Sequence, residues 1–157
     1  MRFLSAWRRR LMGSERSQSM VEFVLVVPIF LVLVFGIIDF GMGLHGWITI
    51  TNAAREGARV GAVYAAAGTA GTPASPVHCS TISESDNSTI AGRSCHTAGS
   101  LTRADVAVGV EGALGSTGEP VTVRMTYDYH FITPLGSFLG GFVGPLHMET
   151  ETDMRLE

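Results

Sequence analysis

Residues 16–41 read RSQSMVEFVLVVPIFLVLVFGIIDFG, an apolar run with one carboxylate, Glu22, at its mouth and a second, Asp39, near its far end. No residue from Phe23 to Ile38 carries a charge, and the apolar character continues past Asp39 to Leu44. A helix over Met20–Leu44 would be about 37 Å long at about 1.5 Å per residue, enough to cross a bilayer. A charged side chain inside lipid costs several kcal/mol, so an acid at the start of such a segment needs a reason.

The rest of the chain is consistent with an anchor plus one small domain. It has 157 residues, too few for an anchor and two full cores, with 46% hydrophobic and 16% charged residues. Residues 1–17 hold five arginines against Glu15, a balance of +4, whereas residues 18–157 hold six arginines against thirteen acids, or −7. There is no lysine. The positive-inside rule then keeps the N-terminus in the cytoplasm and sends everything after Leu44 outside, in a single pass through the cytoplasmic (inner) membrane. An acidic outer part argues against nucleic acid, which requires clustered basic charge. A cleaved secretory signal fits poorly, because the apolar run is too long and no small-residue cleavage site follows it until about Ala65–Ala67.

The stretch Ser17-Gln18-Ser19-Met20-Val21-Glu22-Phe23 resembles the site cut by prepilin peptidases, in which the acid is fifth in the mature chain and an apolar residue follows. Counting back from Glu22 puts the cut between Ser17 and Gln18. Together with TNAAREGARVGAV (residues 51–63) and the segment Tyr127–Leu135, it is similar to TadE-like proteins, minor pseudopilins of the tight-adherence (Flp) pilus system. That family usually has glycine before the cut, where this chain has Ser17. The resemblance implies a non-catalytic subunit whose partners are the membrane, a prepilin peptidase, other pilin-like subunits and pilus assembly proteins. It implies no small-molecule substrate and no cofactor. It also answers the question of the acid. A chain cut before Gln18 carries a free α-amino group one helical turn from Glu22, and an ammonium and a carboxylate attract strongly in such an interfacial site. Glu22 and Phe23 are thus the expected assembly residues. The alternative is an uncleaved, single-pass anchored binding module, with Glu22 simply at the headgroup level. Asp39 falls about 25 Å further along the helix axis and is expected to be an interfacial acid facing water.

Residues 47–64 continue the helix outside a membrane segment spanning 18–46. Ala53, Gly57 and Gly61 recur every fourth position and make a small-residue packing row, either for other pilin-like helices or for the chain's own domain. Residues 65–101 are rich in Gly, Ala, Ser and Thr and are expected to be a long loop. It contains Cys79 and Cys95, which outside the cytoplasm are expected as a disulfide. The adjacent His78 and His96 do not make a metal site, since the spacing matches no zinc motif.

Residues 102–157 are expected to form a helix followed by antiparallel strands. Thr102 with Asp105 resembles a capping box, and Val106, Val110, Ala113 and Leu114 make a helical stripe, although Val106, Val108 and Val110 also alternate. Val121–Phe131 and Leu146–Glu157 alternate cleanly and read as half-buried strands. Between them, Leu135, Phe138, Leu139, Phe142 and Val143 give the connection an apolar tip, open to two readings: it dips towards the membrane or a partner, or, as expected here, it folds under its own sheet. Tyr127, Asp128, Tyr129 and His130 are neighbours on a strand, so their side chains cannot converge on a substrate, and no nucleophile or phosphate motif is present. The expected fold is α+β: a long N-terminal transmembrane helix continuing into a small extracytoplasmic domain with an antiparallel hairpin or sheet.

Overall fold

The computed structural model describes residues 14–64, 71–113, 115–134, 136, 141 and 144–157. The basic leader up to residue 13 and most of the apolar tip between the last two strands lie outside the described residues, as does the stretch 65–70. A single helix, α1 (Ser14–Tyr64), runs through both helical segments expected from the sequence, with Pro28 inside it. It is followed by β1 (Val77–His78), a 3-10 turn (Cys79–Thr81), α2 (Ile90–Thr97), β2 (Val106–Glu111), β3 (Pro120–Tyr129) and β4 (Leu146–Arg155). The strands form one antiparallel sheet in the order β1-β2-β3-β4. The chain is therefore α+β, and among the described residues one helix is long and apolar enough to cross a membrane.

The two halves of α1 have opposite surroundings. From Gln18 to Ile38 every residue is exposed except Val27, Val34 and Phe35, which are half-buried. From Asp39 onward one face is covered, and Ile50, Ala53, Ala54 and Ala58 are fully buried. The sheet lies along this upper half. β3 alternates strictly, burying Val121, Val123, Met125, Tyr127 and Tyr129 and turning Thr122, Arg124, Thr126 and Asp128 outward. Its outward Arg124 pairs with Glu149 and Glu151 of β4, at 2.8 and 2.6 Å.

Two expectations from the sequence are corrected here. Residues 106–111 are not a helix but strand β2. The period-two valines prevail over the helical stripe: Val106, Val108 and Val110 are all buried, and β-branched side chains suit a pleated surface. The Thr102–Asp105 pair forms a turn that leads into the strand, with the Asp105 N–H donating to the Thr102 carbonyl at 3.0 Å. Gly109 on the other face lacks a side chain because the turn after Gly71 lies close against it. A Cβ on Gly109 would meet the Thr72 carbonyl oxygen at 2.6 Å.

Nor is the segment 65–101 a loop throughout, since it contains α2. The helix starts where Thr89 accepts from the Gly92 N–H at 3.0 Å, and Asp86 braces that cap by accepting from Thr89 Oγ1 at 2.7 Å and from the Ser88 N–H. Its apolar side, Ile90, Ala91 and Cys95, is buried against α1. Cys79 and Cys95 are disulfide-bonded, with Cα atoms 5.4 Å apart, so the 3-10 turn is tied to α2.

Candidate functional site

At the N-terminal end of α1, Gln18 and Glu22 lie one turn apart with Phe23 next to Glu22, and all three are exposed, Phe23 by 67%. Ser17 is within the helix, one residue before Gln18. Nothing else among the described residues covers this end, so a carboxylate and an apolar ring stand side by side on an otherwise apolar rod.

The small-residue row faces inward, to the chain's own domain. A Cβ on Gly57 would meet Ser94 Oγ of α2 at 2.0 Å, and one on Gly61 would meet Ile90 Cδ1 at 2.8 Å and Val121 of β3 at 3.1 Å. Ala53 is fully buried. Of the two roles open to this row, packing on the chain's own sheet and α2 is the one realised, and a neighbouring helix has no access to it. Beside it Glu56 joins α2 to α1: Arg93 donates to it at 2.9 Å and Arg59 from the next turn at 2.8 and 2.9 Å. These guanidinium hydrogen bonds, that of Arg59 first, lower the Glu56 pKa to about 2.

Asp39 corrects the sequence reading. It is not a water-facing acid but is 8% exposed, and its acceptors are filled by the residues that follow β3. The Ile132 and Thr133 N–H groups donate to Oδ1 at 3.1 and 3.2 Å, and the Thr133 hydroxyl donates to Oδ2. The Tyr129 hydroxyl lies 3.1 Å from the Asp39 carbonyl oxygen and 3.4 Å from Oδ1. A buried carboxylate is tolerable only when its lone pairs are occupied in this way.

The rest of the clamp follows from the period of the strand. Tyr127, Tyr129, Phe131 and Thr133 alternate, so all four turn towards α1. A Cβ on Gly46 would meet the Tyr127 ring at 2.7 Å, so glycine there admits the ring against the helix backbone. Tyr129 and Phe131 stack edge to face, with centroids 5.7 Å apart. At Gly136, a Cβ would strike both Asp39 and the Phe131 Cβ, and its N–H donates to Thr133 Oγ1 at 3.0 Å. Sequence reasoning noticed the Tyr127–Leu135 segment but not its partner. The available signal was a lone acid inside an apolar helix, which must be paired or exposed.

Residues 18–59 match the family model described as TadE-like protein. This is a TadE-like segment. It covers the exposed rod, Asp39 and most of the buried upper half of α1, and it begins at Gln18. No curated protein and no solved structure matches the chain. Among the described residues no group of three His, Cys, Asp or Glu side chains is arranged to hold a metal ion. Among the described residues, the one helix of this length and apolarity fits a single-pass membrane protein.

Proposed function

We propose that this protein is a minor pseudopilin of a tight-adherence (Flp) pilus or a related secretion machine. It makes and breaks no bonds itself. A prepilin peptidase removes residues 1–17 between Ser17 and Gln18, and the new α-amino group at Gln18 lies about one turn, or about 6 Å, from Glu22. The domain stands on the extracytoplasmic side of the inner membrane, as the arginine-rich leader favours. Contacts with other pilin-like subunits and pilus assembly proteins run through Glu22, Phe23 and the exposed rod.

The observation that carries this reading is the starting point of the TadE-like match. It begins at Gln18, the residue that counting back from Glu22 on the prepilin-type pattern makes the first of the mature chain. The test is the native N-terminus, read by mass spectrometry of membranes from the host cell. A chain beginning at Gln18 supports the processed subunit even with serine before the cut. A chain beginning at Met1 would leave an uncleaved anchored module and sink the proposed role of Glu22.

A further inference from the structure

The boundary between the bare and covered halves of α1 fixes how deep the domain sits. If Glu22 marks one edge of the hydrocarbon, the helix enters lipid at about Phe23, and about 20 residues cross about 30 Å of acyl chains. The far edge then falls near Met42, not near Ile38. Among the described residues, the hydrogen bonds that fasten the domain lowest on the helix are those of the Asp39 clamp, about 5 Å short of that edge at about 1.5 Å per residue. On this register the end of the sheet does not stop above the membrane.

The chemistry at that level agrees. The clamp fills the acceptors of Asp39 with backbone and hydroxyl donors, so this carboxylate can lie at hydrocarbon depth without an unpaired charge facing lipid. Around it stand exposed apolar side chains, Phe40 at 69%, Ile132 at 61% and Leu146 at 50%, with the His147–Asp128 pair and Glu149 at the rim on the sheet side. Between α1 and the sheet's end runs a groove of about 470 Å³, walled by Phe40, Leu44, Trp47, Phe131 and Leu146. Its floor includes Gly36, where no atom lies within 4 Å of a Cβ position. The groove is continuous with the bare face of the rod below it, so the medium that covers Ile37 and Phe40 has open access to it.

We propose that the leaflet on the domain side reaches past Asp39, so that Ile132 and Leu146 lie among acyl chains and one lipid tail occupies the groove against Phe40 and Trp47. The inference rests on the membrane-spanning reading of α1. It adds that the domain is half-sunk in the bilayer and held at a fixed depth, with a lipid as its apolar partner. A tethered domain swinging freely above the surface would need none of these exposed side chains.

The test uses the full chain, reconstituted at low density in phosphatidylcholine vesicles whose acyl chains are brominated near the glycerol end or near the methyl end. With Trp7→Phe and Trp47→Phe as background, single tryptophans are introduced by Phe40→Trp on the helix and by Ile132→Trp or Leu146→Trp on the sheet's end. All three positions are exposed, so the fold should accept the larger ring. The expected result is that Ile132→Trp and Leu146→Trp lose as much fluorescence as Phe40→Trp, and more to the shallow bromines than to the deep ones. Quenching of Phe40→Trp with none at either sheet position would overturn the proposal and leave the membrane-spanning helix standing. Absence of quenching at all three would overturn the membrane reading itself.

Discussion

Asp39 of α1 and Thr133 beyond the end of β3 lie 94 positions apart, and Thr133 donates to that one carboxylate twice, from its N–H at 3.2 Å and from its hydroxyl. Among the described residues it is the lowest hydrogen-bonded tie between the helix and the rest of the domain, and it converts a lone acid in an apolar segment into a point where the domain is fastened.

Asp39→Ala should therefore do more than remove a charge. Three donors lose their acceptor, and at about 1–3 kcal/mol for each unsatisfied buried group, softened by relaxation of the chain after β3, a loss of roughly 3 kcal/mol is expected. Amide exchange at Ile132 and Thr133 in the detergent-solubilised protein should accelerate while Val121 and Val123 stay protected. Unchanged exchange at both amides would show that the clamp does not hold this segment. Thr133→Val, which keeps the backbone donor, should cost about 1–2 kcal/mol.

At Gly57 the local and tertiary effects oppose each other. Alanine in a helix interior is favoured over glycine by about 1 kcal/mol, but here its Cβ collides with Ser94 Oγ, and overpacking costs about 1–3 kcal/mol. Gly57→Ala is expected to destabilise. Ser94 Oγ is buried without a hydrogen-bond partner, so Ser94→Ala alone should be neutral or mildly stabilising. The double variant should exceed the wild type, since the helix gain remains once the obstruction is gone. Chemical denaturation of the four proteins forms a double-mutant cycle, and additive effects would refute this account.

The Cys79–Cys95 bond closes a loop of sequence separation 16, for which chain entropy alone gives about 3 kcal/mol. Replacing both cysteines by alanine, or adding reductant, should lower the melting temperature and release α2 first, because the 3-10 turn has few other ties to it. Protease cleavage between Ser83 and Asn87 is a direct readout. A reduced protein with the melting point of the oxidised one would remove the disulfide from the list of stabilising elements.

Glu56 gives the domain an acid-sensitive joint. Its pKa falls to about 2 in the folded state from an ordinary 4.5, so the folded chain binds fewer protons than the unfolded one between those values. Its contribution is complete above about pH 4.5 and is lost as the pH falls towards 2. Arg59 is 58% exposed and Arg93 36%, so solvent screening limits the effect to about 1 kcal/mol. The drop in melting temperature from pH 7 to pH 3 should be smaller for Glu56→Gln than for the wild type. An equal drop would assign the acid sensitivity to other carboxylates.

Glu22→Ala tests assembly separately from folding. Glu22 is exposed and remote from the domain, so melting temperature and membrane insertion should not change. Piliation of host cells carrying the variant should fall sharply, and normal piliation would remove Glu22 from the assembly contact.

Much of this protein is written locally. The apolar run, its terminal acid, the arginine-rich leader and the alternation of β3 and β4 follow from composition and period over short windows. The TadE-like resemblance could therefore be read from residues 18–63. β2 is ambiguous over a short window because Val106, Val108 and Val110 fit two periods at once, and only pairing with β3 and burial against the rest of the domain decide between them. α2 was missed because Gly, Ser and Thr suggest a loop, although Asp86 and Thr89 form a helix cap ahead of Ile90.

The sequence by itself determined that an apolar helix carries a small antiparallel domain, because hydrophobic length and alternation are properties of neighbouring residues. Only the tertiary structure decided what Asp39 and the small-residue row are for. Their partners, Tyr129 to Thr133 and Ser94, are distant in the chain. A carboxylate in an apolar segment is bare or satisfied according to what the fold brings beside it, and a row of glycines is an open surface or a filled seam for the same reason.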